Sequence, residues 1–334
     1  MPSEKGTTLN ETVATSPAIS STGTNRSRVG ISIETWEPRA MLNLIESAEA
    51  AGVEQLWLGQ TSETPNALAI FAAAIPRTST IRLGTAIVPI YPLHPLALGQ
   101  QAATVAAFGP GRLRLGIGPS TRSRMIRQFG LPMEAPIERL EEYVSILRAM
   151  LWEGRVDFHG KQLTAQVTLD DAPRVPILTS ALGESAFRMA GAVTDGALSW
   201  NCPPAYLLNH ARPALIEGAA AAGRPTPPLV AHVCVALTTD REEALAAGRE
   251  HLSFYVKAPF YAAMFAAAGY PIPDDQSVPT SLIESLVIMG DEDAVAEQLV
   301  ALLDSGLDEL LISNLVRGDR TAADDRIIRL VGSL

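Results

Sequence analysis

Cysteine is scarce in this chain: there are two, Cys202 and Cys234, far apart and without a CxxC spacing. That argues against a disulfide framework and against a cysteine-rich zinc site, and leaves two small buried hydrophobes as the expectation. Histidine is nearly as sparse, with five in all: His94, His159, His210, His232 and His251. Their spacings match no metal motif, so no metal is expected. Basic residues are outnumbered 26 to 36, for a net charge of -10. Phosphate backbones want a basic surface, so nucleic acid is not an expected partner. No apolar run approaches the roughly 18 residues of a membrane span. The start carries no basic stretch followed by an apolar one, as a signal peptide would. A cytoplasmic protein that works on small molecules, away from membranes, is the expectation.

Residues 1–27 are rich in Ser and Thr and poor in large apolar groups. They cannot offset their ordering entropy by burial, which predicts a flexible tail ahead of one domain over 28–334. From Arg28 onward, short β-like runs alternate with helical patterns. The runs lie at 29–34, 53–59, 81–88, 112–118, 175–181, 197–200, 229–237 and 309–313. After the first, Met41, Leu44, Ile45 and Ala48 recur at helical spacing, between Pro38 and the stop at Gly52. Such alternation predicts an α/β fold, a (β/α)8 TIM barrel, with a doubly wound open sheet as the runner-up. Strands too apolar to leave a sheet face wet favour the barrel. Two connections are long. The one after strand four carries a hairpin at 154–163, and the one after strand seven carries a lid-like insertion at about 250–281.

In a barrel the site forms at the C-terminal ends of the strands. Those ends hold Glu34 and Trp36 after strand one, Gln60 and Thr61 after strand two, and Ser120 and Thr121 after strand four. Leu182 and Gly183 follow strand five, and Trp200 and Asn201 follow strand six. This rim has no carboxylate pair, no Ser-His-Asp set and no metal cluster, and of the histidines only His94 reads as lying near it. Tryptophans, amides, hydroxyls and glycines suit a flat aromatic cofactor that brings its own chemistry, with Trp36 and Trp200 as the substrate-pocket candidates. SALGESAFRMAG (180–191) reads as a strand end, a glycine turn and a helix start, which is a cradle for phosphate. Glu184 in its first turn would repel a phosphate if it faced inward. Arg122, Arg124 and Arg127 form a local positive cluster fit for an anionic tail. LGIG at 115–118 lacks the third glycine of a dinucleotide fingerprint, since Thr121 stands there and Pro119 interrupts.

EAAGVEQLWLGQT, IRLGTAIVPIYPLHP, GRLRLGIG, QFGLPMEAPIERLEEYVSILRAMLWEG with VDFHG, VPILTSALGESAFRMAGAVTDG and AVAEQLVALLDSGLDEL follow one another in an order and spacing that matter together. From about residue 28 to the end, the chain resembles the luciferase-like superfamily of flavin- and deazaflavin-dependent oxidoreductases. The region from QFG to VDFHG is most similar to the branch using coenzyme F420, which includes methylene-tetrahydromethanopterin reductases. The resemblance implies the same barrel, F420 as cofactor with FMN as the alternative, and possible homodimers. It puts Ala86 and Ile87, joined by a non-proline cis peptide, behind the deazaflavin ring. It puts the turn Leu182, Gly183, Glu184 at the cofactor phosphate, and Gln60 at the ring edge. Ser120 and Thr121 face cofactor and substrate, and His94 stands at a helix start or the cofactor edge. Thr61 and Thr121 occupy places where the sugar-phosphate dehydrogenase members carry an acid/base His and Glu, a departure that counts against sugar oxidation. Many relatives also have Pro where Glu184 stands.

The expected function is therefore F420-dependent hydride transfer to or from a small apolar or conjugated substrate. Thr121 and Tyr91 are the candidate weak proton donors beside water. An FMN-dependent luciferase-like monooxygenase is the alternative, and a non-catalytic flavin-binding barrel is a further one.

Overall fold

The computed structural model describes residues 24–33, 35–315 and 318–334; most of the expected tail and Glu34 lie outside the described residues. Eight parallel strands close on themselves: β1 Val29–Ile33, β2 Gln55–Leu58, β3 Arg82–Thr85, β4 Leu113–Gly118, β5 Ile177–Ser180, β6 Gly196–Leu198, β7 Leu229–Ala236 and β8 Glu309–Asn314. Each pairs with the next in chain order. β8 then returns to β1, with Leu310 opposite Val29. Closure rules out the open doubly wound sheet.

Strand alternation divides the side chains into two cores. Val29, Ile31, Leu56, Leu83, Leu115 and Ile312 face the surrounding helices in one large cluster. Trp57, Leu178, Leu198, Val230 and Leu311 form a separate cluster inside the barrel. Trp57 dominates that interior because its neighbours have no side chain. A Cβ on Gly84 would lie 2.2 Å from the indole, and one on Gly30 would lie 2.5 Å from it.

Beneath Trp57 the barrel is closed by a buried polar network. Arg114 makes a two-pronged ion pair with Glu309, at 2.6 and 3.0 Å. Gln55 accepts from Arg114 at 2.7 Å and donates to Glu309 at 3.1 Å. The Arg114 guanidinium also lies 4.9 Å from the Trp57 ring centre. Burial pushes the Glu309 pKa up, but the Arg114 charge and the hydrogen bonds from Arg114 and Gln55 outweigh it and hold the carboxyl below the usual range.

The expected tail ends earlier than residue 27. Asn25–Arg28 form a helical turn against this closed end. Ser27 O accepts from Gln55 and Arg82, and Arg28 donates to Leu307 O at 2.6 Å and Asp308 O at 2.8 Å.

Both long connections are elaborated as expected, with differences in detail. After β4 comes a helix Arg122–Phe129, then the helix Pro136–Trp152 and the hairpin Arg155–His159/Thr164–Thr168. The helical stretch after β7 is broken into Arg241–Leu252, a turn at Tyr255–Lys257 and Pro259–Ala267, since Pro259 cannot continue a preceding turn. The helix after β6 widens into a π-turn over Leu207–Ala211, where Pro213 lacks the N–H that would bond Asn209.

One strand was not expected. Val287–Met289 pairs with the upper half of β7, at Cys234–Ala236. The lower half, Leu229–Val230, pairs with β6 instead. β6 thus leaves β7 part-way up, and the short strand takes over its edge.

Candidate active site at the open end of the barrel

The expected bulge after β3 is present, and the Ala86–Ile87 peptide is cis. Ala86 N–H donates to Leu58 O at 2.9 Å, and Gln60 N–H donates to Ile87 O at 3.2 Å, so the bulge and the end of β2 are stitched together. Glycines on the flanking strands admit it. A Cβ on Gly116 would meet Thr85 O at 2.0 Å, and one on Gly118 would meet Ile87 at 3.2 Å and Ser180 Oγ at 2.2 Å. Thr85 sits in that space, donating to Gly116 O at 2.7 Å and accepting from its N–H at 2.9 Å.

Across the mouth stands Trp200. It rests on the same inner cluster as Ala86 and Ile87, so the buried plug of Trp57, Leu178, Leu198, Val230 and Leu311 forms a floor between bulge and tryptophan. Trp200 stacks on His232 with ring centres 3.7 Å apart. Its Nε1 donates to Tyr255 Oη at 2.9 Å.

Sequence reading missed this wall: His232 and His251 lie at the mouth, not only His94. His232 Nδ1 accepts from Asn201 N–H at 3.2 Å, so its proton sits on Nε2, which donates to Ser313 Oγ at 2.9 Å. The left-handed backbone of Asn201, φ 52°, is one that asparagine tolerates. His251 donates to Asn201 Oδ1 at 3.0 Å. Burial holds the His251 pKa down at about 4. Burial, and then the nearby His251, hold His232 well below its ordinary range. Both rings are therefore neutral at neutral pH, and the wall carries no charge from them.

The other expected residues fall into two groups. At the turn after β5, Gly183 precedes the helix Glu184–Val193, whose first turn has no side-chain cap. Glu184 is held 3.2 Å from His210 Nδ1, and Tyr206 donates to Leu182 O at 3.0 Å. Near strand four, Ser120 adopts φ 63° and Arg122 is exposed, while Arg124 Nε is buried without a hydrogen bond. An uncapped helix start and an unpaired guanidinium nitrogen fit an anionic cofactor tail.

The second group is engaged in holding the chain. Thr121 caps the helix Arg122–Phe129, accepting from Arg124 N–H at 3.3 Å. Thr61 Oγ1 donates to Glu63 at 3.0 Å. Gln60 Oε1 accepts from Ala67 N–H at 3.1 Å. The Tyr91 hydroxyl donates to Glu134 O at 2.8 Å, and burial pushes its pKa up, so its proton is already committed. His94 caps the helix Pro95–Phe108 through Nδ1, and its Nε2–H donates to Thr164 O at 3.2 Å, which makes it a residue of helix start and hairpin. Trp36 is 62% exposed, against a half-buried Trp200. Among the described residues no group of three or more His, Cys, Asp or Glu is placed to hold a metal, and no helix is long and apolar enough to cross a membrane.

A closed (β/α)8 barrel with a bulged third strand, small residues at the bulge and an aromatic wall opposite defines a class of barrel built around a flat cofactor. The chain belongs to the luciferase-like monooxygenase family, whose model matches residues 18–309. It is 30% identical over 303 residues to the F420-dependent glucose-6-phosphate dehydrogenase of Nocardia farcinica, covering 84% of this chain and 89% of the relative. Two solved structures share the fold. The coenzyme F420-dependent tetrahydromethanopterin reductase of Methanopyrus kandleri matches with TM-score 0.74 and 24% identity, over 91% of this chain and 97% of that one. The oxygenating constituent of 3,6-diketocamphane monooxygenase from Pseudomonas putida, in complex with FMN, matches with TM-score 0.69 and 17% identity, over 91% and 96%.

Proposed function

We propose that this chain is a coenzyme F420-dependent oxidoreductase, exchanging a hydride between the deazaflavin C5 and a small apolar or conjugated substrate. The observation that carries this reading is the mouth itself. It offers a bulge of small residues facing an aromatic wall whose histidines are neutral, and no acid–base pair among the described residues, in a chain related over most of its length to an F420-dependent dehydrogenase. When bound, the deazaflavin supplies the carbon that gives or takes the hydride.

The chain supplies position. Ala86 and Ile87 would hold one face of the ring, and Gln60, whose N–H is tied to Ile87 O, would border its edge. The uncapped turn at Leu182, Gly183 and Glu184, with Arg122 and Arg124, meets the anionic tail. Glu184 is compatible with that role because His210 holds its carboxylate. Ser120 and Thr121 would face the cofactor and the substrate. Thr121 uses an acceptor lone pair in its cap and shares a hydrogen bond with Ser123 Oγ, whereas the Tyr91 hydroxyl is given to Glu134 O, so water remains a proton source beside Thr121. Trp200 lines the substrate side.

Sugar oxidation is not part of the proposal, although the dehydrogenase relative is named for it. Thr61 and Thr121 stand where the resemblance places the acid/base pair, and neither has a pKa suited to that work.

The deciding experiment titrates the purified protein separately with F420 and with FMN, following cofactor fluorescence. Tight binding of F420 alone is the expected result. Tight binding of FMN alone, with oxygen-dependent turnover, would establish the monooxygenase reading instead, because a deazaflavin does not form the oxygen adduct that reaction needs.

A further inference from the structure

The wall opposite the bulge is more constrained than a chance packing of aromatics. Trp200 is fixed on two sides: His232 covers one face, and Tyr255 holds the indole nitrogen. His232 is itself fixed at both ring nitrogens, by Asn201 N–H and Ser313 Oγ. His251 continues the stack behind His232, with ring centres 6.1 Å apart, and anchors the Asn201 amide. The split of β7 makes this possible, since β6 departs beside His232 and leaves Trp200 free to lie across it. Phe254 and Phe260, both exposed, extend the apolar surface along the insertion that carries Tyr255.

This wall also lacks charge. Its two histidines are neutral, and Arg122 and Arg124 belong to the strand-four side. An anionic substrate placed against the Trp200 ring would lose its hydration against an apolar face. A flat, uncharged one would gain the stacking surface.

We infer that Trp200, clamped by His232 and Tyr255, is the platform for a neutral, planar substrate such as an aromatic or conjugated ketone, and that His232 is the positioning residue that sets its plane. This rests on the reading of the mouth as the reaction site, but the platform is testable without turnover.

The test measures binding of 1-tetralone and of glucose 6-phosphate to the purified protein by calorimetry, alongside F420 titration by cofactor fluorescence. The expected result is 1-tetralone binding at least roughly tenfold tighter than glucose 6-phosphate, weakened roughly tenfold by Trp200→Leu. His232→Ala should weaken it likewise, and His232→Phe, which restores a ring behind the indole, should recover most of the loss. A merely structural histidine would not show that recovery. Glucose 6-phosphate binding as tightly as 1-tetralone would overturn the inference. So would unchanged 1-tetralone affinity in Trp200→Leu, or failure of His232→Phe to recover what His232→Ala loses. If Trp200→Leu does not fold, the two His232 variants decide alone. Absence of F420 binding to the wild type would sink the cofactor reading while leaving the platform to stand or fall on the 1-tetralone result.

Discussion

Trp200 and His232 lie face to face, with ring centres 3.7 Å apart and planes inclined by 19°. Trp200 lies just past the end of β6 and His232 in the middle of β7, and their stack exists because β6 and β7 part company at that height. The same contact joins the floor of the mouth to the insertion after β7, through Tyr255 and His251.

That arrangement ties stability to pH. His251 has a pKa of about 4 in the fold, below its ordinary value of 6.5. Between those values the unfolded chain binds a proton that the folded chain refuses. Stability is therefore full above about pH 6.5 and falls as pH drops towards 4, by on the order of 3 kcal/mol for this group. Urea unfolding at a series of pH values should show the fall, and His251→Gln should lessen it, with the remainder coming from His232, which is depressed in the same direction. An unchanged slope in that variant would refute the assignment.

The ion pair under Trp57 should be expensive to break from one side. Arg114→Leu leaves the Glu309 carboxylate buried without its cation, and a loss of about 3–5 kcal/mol is expected. Adding Glu309→Leu should restore part of it, because the buried carboxylate is then gone. Urea midpoints of the single and double variants check both statements.

Trp57 and Gly84 are matched in size. Gly84→Ala places a methyl 2.2 Å from the indole and should cost about 1–3 kcal/mol or more. Trp57→Leu destabilises by opening a cavity. Combining the two should cost less than the sum of the separate losses, and thermal melts of the four proteins give the coupling.

At the mouth, Ala86→Leu should remove F420 binding while leaving the melting temperature within a few degrees of wild type, since Ala86 is only partly buried at the edge of the floor. Fluorescence titration and a circular dichroism melt on the same sample test it. Full retention of F420 binding would move the ring away from the bulge.

Much of the architecture was legible in the sequence because apolar runs and helical spacings recur with the β/α period, and closure follows from strands that are buried on both faces. The cis bulge at Ala86–Ile87 was legible through resemblance, and the glycine turn at Gly183 from the residues themselves. Other features have no one-dimensional signal. Trp57 in an apolar strand reads alike whether it faces helices or the barrel axis. The helix Arg122–Phe129 buries only Met125, so no apolar stripe announces it. His232 and His251 become neighbours only through the split of β7, and Val287–Met289 reads as the tail of the helix before it. His94 and Tyr91 carried plausible chemistry by type, yet their polar atoms are engaged with Leu96, Thr164 and Glu134.

The helical turn Asn25–Arg28 is clasped to the closed end by Gln55, Arg82 and its own Arg28. The chain therefore enters the barrel at the pole farthest from the mouth. A bead or an electrode coupled at Asn25 would therefore grip the closed end and leave the opening turned toward the solution.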